Sequence, residues 1–81
     1  MTMNIKVLGT GCAKCKSLEK VTREAVAEMA INAEVEKVED IVKIMQYGVM
    51  RTPALVINEK VVMSGSVPST SEIKELISKN Q

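Results

Sequence analysis

The chain has 81 residues, of which 46% are hydrophobic and 26% are charged. This length predicts a single domain spanning residues 1–81. The 11 Lys and Arg nearly balance the 10 Asp and Glu, which leaves a net charge of +1. Nucleic-acid-binding surfaces usually have a large basic excess and aromatic residues that stack on bases, whereas Tyr47 is the one aromatic residue here. We therefore expect an aliphatic core and no nucleic-acid partner.

The sequence also limits the location and the chemistry of the protein. No apolar run approaches the roughly 18 residues of a transmembrane helix, and residues 1–6 lack the charged and apolar regions of a signal peptide. We therefore expect a cytoplasmic protein without a membrane partner. Histidine is absent, which removes the imidazole base and metal ligand. The two cysteines cannot supply the four ligands of a structural zinc site, so we predict no cofactor.

The first half of the chain predicts two strands and two helices. Residues 4–8 are a β-rich run that stops at the glycines of 9–11, and 33–38 form a weaker strand. Between them, residues 12–30 have the apolar spacing of an amphipathic helix. Asp40 is a predicted N-cap of a short helix that ends at Gly48. On that helix, we expect Ile41, Ile44 and Met45 to share one buried face.

The second half predicts a hairpin and a final helix. Residues 54–57 and 60–63 are strands joined by a turn at Asn58 and Glu59. Ser69 and Glu72 have the spacing of a capping box that opens a helix. The order βαβαββα predicts an α/β fold with a four-stranded mixed sheet and helices on both faces. We expect core positions for Met29, Met45 and Met63. Tyr47 and Met50, before the third strand, could line a groove beside Thr52-Pro53, but we favour simple packing roles for both.

The residues with distinctive chemistry are Cys12 and Cys15, which enclose Ala13 and Lys14 where the first loop enters the first helix. At this spacing both sulfurs lie on one helix face. Cys12 stands at the helix N-terminus, where free backbone N–H groups and the helix dipole favour a thiolate. Lys14 adds positive charge.

Three interpretations fit the pair: a structural disulfide, a metal site and a redox-active dithiol. A loop of four residues gains little from a structural disulfide, so we favour redox chemistry.

The cysteine motif after the first strand, the βαβαββα order and Thr52-Pro53 before the third strand resemble the thioredoxin superfamily, especially its small glutaredoxin-sized members. The resemblance covers residues 4–79. It implies a thiol-disulfide oxidoreductase in which Cys12 attacks a substrate disulfide and Cys15 resolves the mixed disulfide. It also implies a cis bond before Pro53 and a Thr52 backbone that pairs with substrate.

Further expectations follow from this resemblance. We predict that Gly11 and Lys14 contribute to substrate binding. The partners would be a disulfide-containing protein or small-thiol substrate and an unidentified reductase, and the protein would be a monomer. No metal is expected at the site.

Two rival functions use the same cysteines. A soft-metal carrier that resembles heavy-metal-associated domains would bind Cu(I) through the two thiolates. Heavy-metal-associated domains, however, have the order βαββαβ and end on a strand. The helix predicted from Ser69 to Lys79 and the proline beside the motif favour the redox function. A regulatory module whose cysteines sense oxidants is the third possibility.

Overall fold

The computed structural model describes residues 3–11 and 13–80. The predicted order of elements and the α/β fold class are confirmed. The strands and helices are β1 (Met3–Leu8), α1 (Ala13–Met29), β2 (Ala33–Val38), α2 (Ile41–Gln46), β3 (Ala54–Ile57), β4 (Lys60–Ser64) and α3 (Thr70–Lys79).

The strands form one mixed sheet in the order β2-β1-β3-β4. β1 runs parallel to β2, with Leu8 opposite Val38, and antiparallel to β3, with Leu8 opposite Ala54. β4 is antiparallel to β3, and Ser64 lies opposite Ala54. This register brings the ends of β1, β2 and β4 and the beginning of β3 to one edge of the sheet. We call it the C-terminal edge of β1.

Both faces of the sheet are covered by helices, as predicted. The strand residues that alternate along β1 and β3 pack against α1 and α3 on one face, in a cluster that includes Ile5, Val7, Leu18, Leu55, Ile57, Ile73 and Ile77. α2 covers part of the other face, where Leu8, Val38, Ile44, Ala54 and Val56 form a second cluster. β3 therefore buries side chains on both faces of the sheet, which explains its continuous apolar run.

The predicted apolar face of α2 is wrong for two of its three residues. Ile44 is only 1% exposed, but Ile41 is 55% and Met45 is 67% exposed. A helix of six residues has fewer than two turns, so a single side chain makes the contact with the sheet and its apolar neighbours face solvent. The packing role predicted for Met50 is also wrong, because that side chain is 98% exposed.

The predicted cap and turn residues are confirmed. The Asp40 side chain accepts a hydrogen bond from the Val42 N–H at 2.9 Å. The Ser69 hydroxyl accepts one from the Glu72 N–H at 3.3 Å. Asn58 and Glu59 both have positive φ angles, of 50° and 67°, which is the conformation of a type I′ hairpin turn.

Candidate active site

Cys15 lies in the first turn of α1 and is 1% exposed. Its sulfur is part of a disulfide. Cys12, the other cysteine of the chain, lies outside the described residues. No acidic residue occurs in the first turn of α1, so no carboxylate there opposes the positive end of the helix dipole.

Gly9 connects β1 to the cysteine motif and packs directly on Cys15. A Cβ at residue 9 would overlap the Cys15 sulfur and lie 2.9 Å from the Cys15 Cβ. The Gly9 N–H donates a hydrogen bond of 2.9 Å to the Val38 carbonyl oxygen, so the β1 backbone cannot move away freely. The missing side chain at residue 9 thus makes room for the buried cysteine.

Thr52 and Pro53 lie directly before β3, at the C-terminal edge of β1 that also carries Gly9. Their peptide bond is cis, the isomer that the resemblance implies. Pro53 is buried and Thr52 is exposed. The Pro53 carbonyl oxygen accepts a hydrogen bond of 2.8 Å from the Gly65 N–H, which ties the segment after β4 to the proline. The register of the sheet therefore brings Thr52 and Pro53 to the edge from which the cysteine motif begins, although 38 residues separate Cys15 and Pro53 in sequence.

The other two predicted substrate-binding residues are Gly11, directly before the motif, and Lys14, inside it. Gly11 is half-buried with a φ of +88°, and a Cβ there would lie 3.7 Å from the Glu39 Oε2. Lys14 is exposed, and it forms no ion pair with any residue that the structure describes. The site thus has a free cation within the motif and a carboxylate beside the loop, and this carboxylate is itself 3.4 Å from the Lys37 Nζ.

Comparison with known proteins identifies the family. The model of the thioredoxin domain matches residues 3–78. The chain is a member of the thioredoxin family. It is 42% identical over 76 residues to a thioredoxin of Methanothermobacter thermautotrophicus, covering 94% of this chain and 99% of that protein. A thioredoxin of Methanocaldococcus jannaschii is 39% identical over 71 residues, covering 88% of this chain and 81% of that protein.

A solved structure gives the same fold. The crystal structure of chloroplastic thioredoxin z has a TM-score of 0.71 at 18% identity, and the match covers 96% of this chain and 77% of that one.

Thioredoxins are thiol-disulfide oxidoreductases that act on disulfide substrates together with a reductase. The enzyme class expected for this chain is therefore confirmed.

The thioredoxin fold leaves the metal-carrier alternative without support. α2 stands between β2 and β3, whereas the βαββαβ order of the carriers joins those two strands directly. None of the described helices has the length and apolar content needed to cross a membrane.

Sequence reasoning did not find the role of Gly9, because Gly9 and Gly11 resemble the start of a dinucleotide-binding motif and are ordinary turn residues. The signal was a glycine directly after a strand, in the short loop before a helix whose first turn carries a cysteine. Such a position suggests a close approach between the backbone and a side chain.

A polar cluster that the sequence did not predict lies away from the motif, where β1 and the β3–β4 turn meet α2. The Lys6 Nζ donates to the Glu59 Oε1 at 2.8 Å and to the Tyr47 hydroxyl at 2.9 Å. The Tyr47 hydroxyl donates to the Glu59 Oε2 at 2.9 Å. These hydrogen bonds raise the pKa of Lys6 above its ordinary value and lower the pKa of Glu59. These three residues also line a cleft of about 400 Å³ under α2.

Proposed function

We propose that this thioredoxin reduces disulfides of substrate proteins or small thiols through Cys12 and Cys15. The observation that carries the proposal is the disulfide-bonded, buried Cys15 in the first turn of α1, packed against Gly9. The sequence puts Cys12 three residues earlier, so one cysteine of the motif precedes Ala13, the first residue of α1, in the chain, and the other is buried in the first turn. This asymmetry suits a nucleophile that meets substrate and a second cysteine that acts afterwards.

The proposed reaction has two thiol-disulfide exchange steps. The Cys12 thiolate attacks one sulfur of the substrate disulfide, which forms a mixed disulfide and releases the other substrate sulfur as a thiolate that takes up a proton. The Cys15 thiol then loses its proton and attacks the Cys12 sulfur. The Cys12–Cys15 disulfide forms and the second substrate thiol leaves. Two electrons have passed to the substrate, and an external reductase must return them.

The C-terminal edge of β1 offers suitable groups for positioning the substrate. Thr52 is exposed beside the buried Pro53, so its backbone is available to pair with an extended substrate segment, as in β-strand addition. Gly11 leaves space beside the motif, and Lys14 supplies a cation that favours the Cys12 thiolate. We propose these four residues as substrate-binding residues.

We also propose that the protein acts as a monomeric single domain in the cytoplasm. The motif supports this location, because disulfides of cytosolic proteins are usually transient and catalytic. No second chain is needed for the proposed reaction, since both cysteines come from one chain.

Trapping of the mixed disulfide tests the roles of the two cysteines. Cys15→Ser should accumulate a covalent adduct between Cys12 and a disulfide substrate, detectable by mass spectrometry and released by dithiothreitol. Cys12→Ser is the matched control and should form no adduct, because Cys15 is buried. Equal adduct formation by the two variants would contradict the assigned roles.

Thiol labelling of the reduced parent adds an independent test. Iodoacetamide should modify Cys12 first, and at a lower pH than Cys15, because helix termini and nearby lysines favour the thiolate form of a cysteine. Equal labelling of both cysteines near pH 8.5 would contradict the proposed nucleophile.

A further inference from the structure

The side chain of Arg51 lies across the backbone of Gly65. A Cβ at Gly65 would lie 3.3 Å from the Arg51 Cδ and 3.4 Å from the Arg51 Cβ. Both ends of the aliphatic part of Arg51 therefore contact the same glycine. Gly65 is in turn hydrogen-bonded to Pro53, so the arginine packs on backbone that is fixed to the proline of the site.

The guanidinium group of Arg51 has no partner among the described residues, since it forms no hydrogen bond or ion pair with them. The Glu39 carboxylate beside Gly11 is paired with Lys37 at 3.4 Å, and it lies after β2, on the other side of β1 from Arg51. The site thus presents an exposed cation whose aliphatic part is already held in place. Such a group loses less side-chain entropy when it binds a ligand than a freely moving one does.

The position of this cation points to the substrate. Arg51 directly precedes Thr52, whose backbone is the proposed pairing partner of an extended substrate segment. A substrate residue beside the one that pairs with Thr52 would place its side chain close to the guanidinium group of Arg51. The planar guanidinium binds carboxylates through two parallel hydrogen bonds.

We propose that Arg51 is a specificity-determining residue that favours protein substrates with an acidic side chain next to the reactive cysteine. The inference rests on the proposed function, because it requires a substrate segment at Thr52. Gly65 contributes by leaving room for the arginine. Arg51 takes no part in electron transfer, so its effect concerns the choice of substrate.

Two disulfide peptides test this inference. They have the same sequence apart from one residue beside the reactive cysteine, which is Glu in one and Gln in the other. The reduced parent should reduce the Glu peptide about two- to fivefold faster in kcat/KM, the size of effect that an exposed ion pair supports. Arg51→Gln should bring the ratio to about one, because it lowers kcat/KM for the Glu peptide more than for the Gln peptide. High salt should also lower the parent's ratio, because it screens exposed charges.

Lys60→Gln is the matched control, because it removes the same charge from an exposed residue at the turn end of β4. It should keep the parent's ratio. The inference is overturned if the parent reduces both peptides equally well, if Arg51→Gln keeps the preference, or if Lys60→Gln abolishes it too. In these cases reduction of both peptides still upholds the proposed function. If the parent reduces neither peptide, the proposed function fails and the inference with it.

Discussion

Gly9 and Cys15 share a space that holds one side chain, because a Cβ at residue 9 would overlap the Cys15 sulfur. The end of β1 and the first turn of α1 are thereby packed against each other without a gap. Gly9 is also hydrogen-bonded to Val38. This contact fixes the position of the buried cysteine relative to the sheet edge at which substrate is proposed to bind.

Gly9→Ala should therefore displace Cys15 and weaken both stability and activity. Overpacking of a buried site typically costs about 1–3 kcal/mol, which urea unfolding of the oxidised protein would measure. The rate of disulfide reduction should fall as well. Gly48→Ala is a useful control, because Gly48 has a φ of +74° but nothing within 4 Å of an added Cβ. That variant should lose stability through backbone strain yet keep the parent's rate. A Gly9→Ala protein with the parent's stability and rate would contradict this account of the contact.

The attachment of α2 to the sheet gives a second prediction. Ile44 is 1% exposed within the cluster formed with Val38, Ala54 and Val56, whereas Met45 is 67% exposed. Ile44→Ala should lower the free energy of unfolding by about 2–4 kcal/mol, because it leaves a cavity in a packed core. Met45→Ala should change it by less than about 0.5 kcal/mol. Chemical denaturation of the two variants checks this, and equal effects would show that α2 packs differently.

Several features of the fold could be predicted from local sequence patterns alone. The strands and helices, the Asp40 and Ser69 caps and the hairpin turn follow from local patterns, because each depends on residues close in the chain. The motif was equally clear, since a pair of cysteines at a predicted helix N-terminus has few chemical uses.

The remaining features depend on tertiary contacts that no local pattern encodes. Ile41, Ile44 and Met45 are similarly apolar, and only the position of α2 on the sheet decides which of them is buried. The approach of Gly9 to Cys15 and the packing of Arg51 on Gly65 join residues from different elements. Their identity as glycines hinted at a special role but did not reveal the partner.

A third prediction concerns pH and the contact between Lys6 and Glu59. The hydrogen bond from Lys6, followed by that from Tyr47, lowers the pKa of Glu59. Because the pKa of Glu59 is lower in the folded state, the contact stabilises the protein fully when the pH is above 4.5, the ordinary pKa of a Glu. This stabilisation is lost as the pH falls through the folded-state pKa. The pKa of Lys6 is raised, which is the opposite shift. Its contribution to stability is therefore fully present below pH 10.5, the ordinary pKa of a Lys, and is lost only at higher pH.

Glu59→Gln should consequently destabilise the protein at pH 7, and the difference from the parent should shrink toward pH 3. Urea unfolding of both proteins across this range measures the effect. Glu75→Gln is the comparison variant, because Glu75 is 69% exposed and 3.9 Å from the Lys79 Nζ, so its loss should matter little at either pH. A Glu59→Gln effect that stays constant from pH 7 to pH 3 would contradict the assignment.

The central claim is that Cys12 and Cys15 form a redox-active pair, and an equilibrium redox titration tests it most directly. The thiol content of the protein would be measured after equilibration with glutathione or dithiothreitol buffers of known potential. The helix N-terminus and Lys14 stabilise the thiolate and hence the reduced form, which makes the disulfide easier to reduce. We predict a two-electron transition between about −180 and −280 mV. A midpoint below about −300 mV, the range of structural disulfides, would contradict the account.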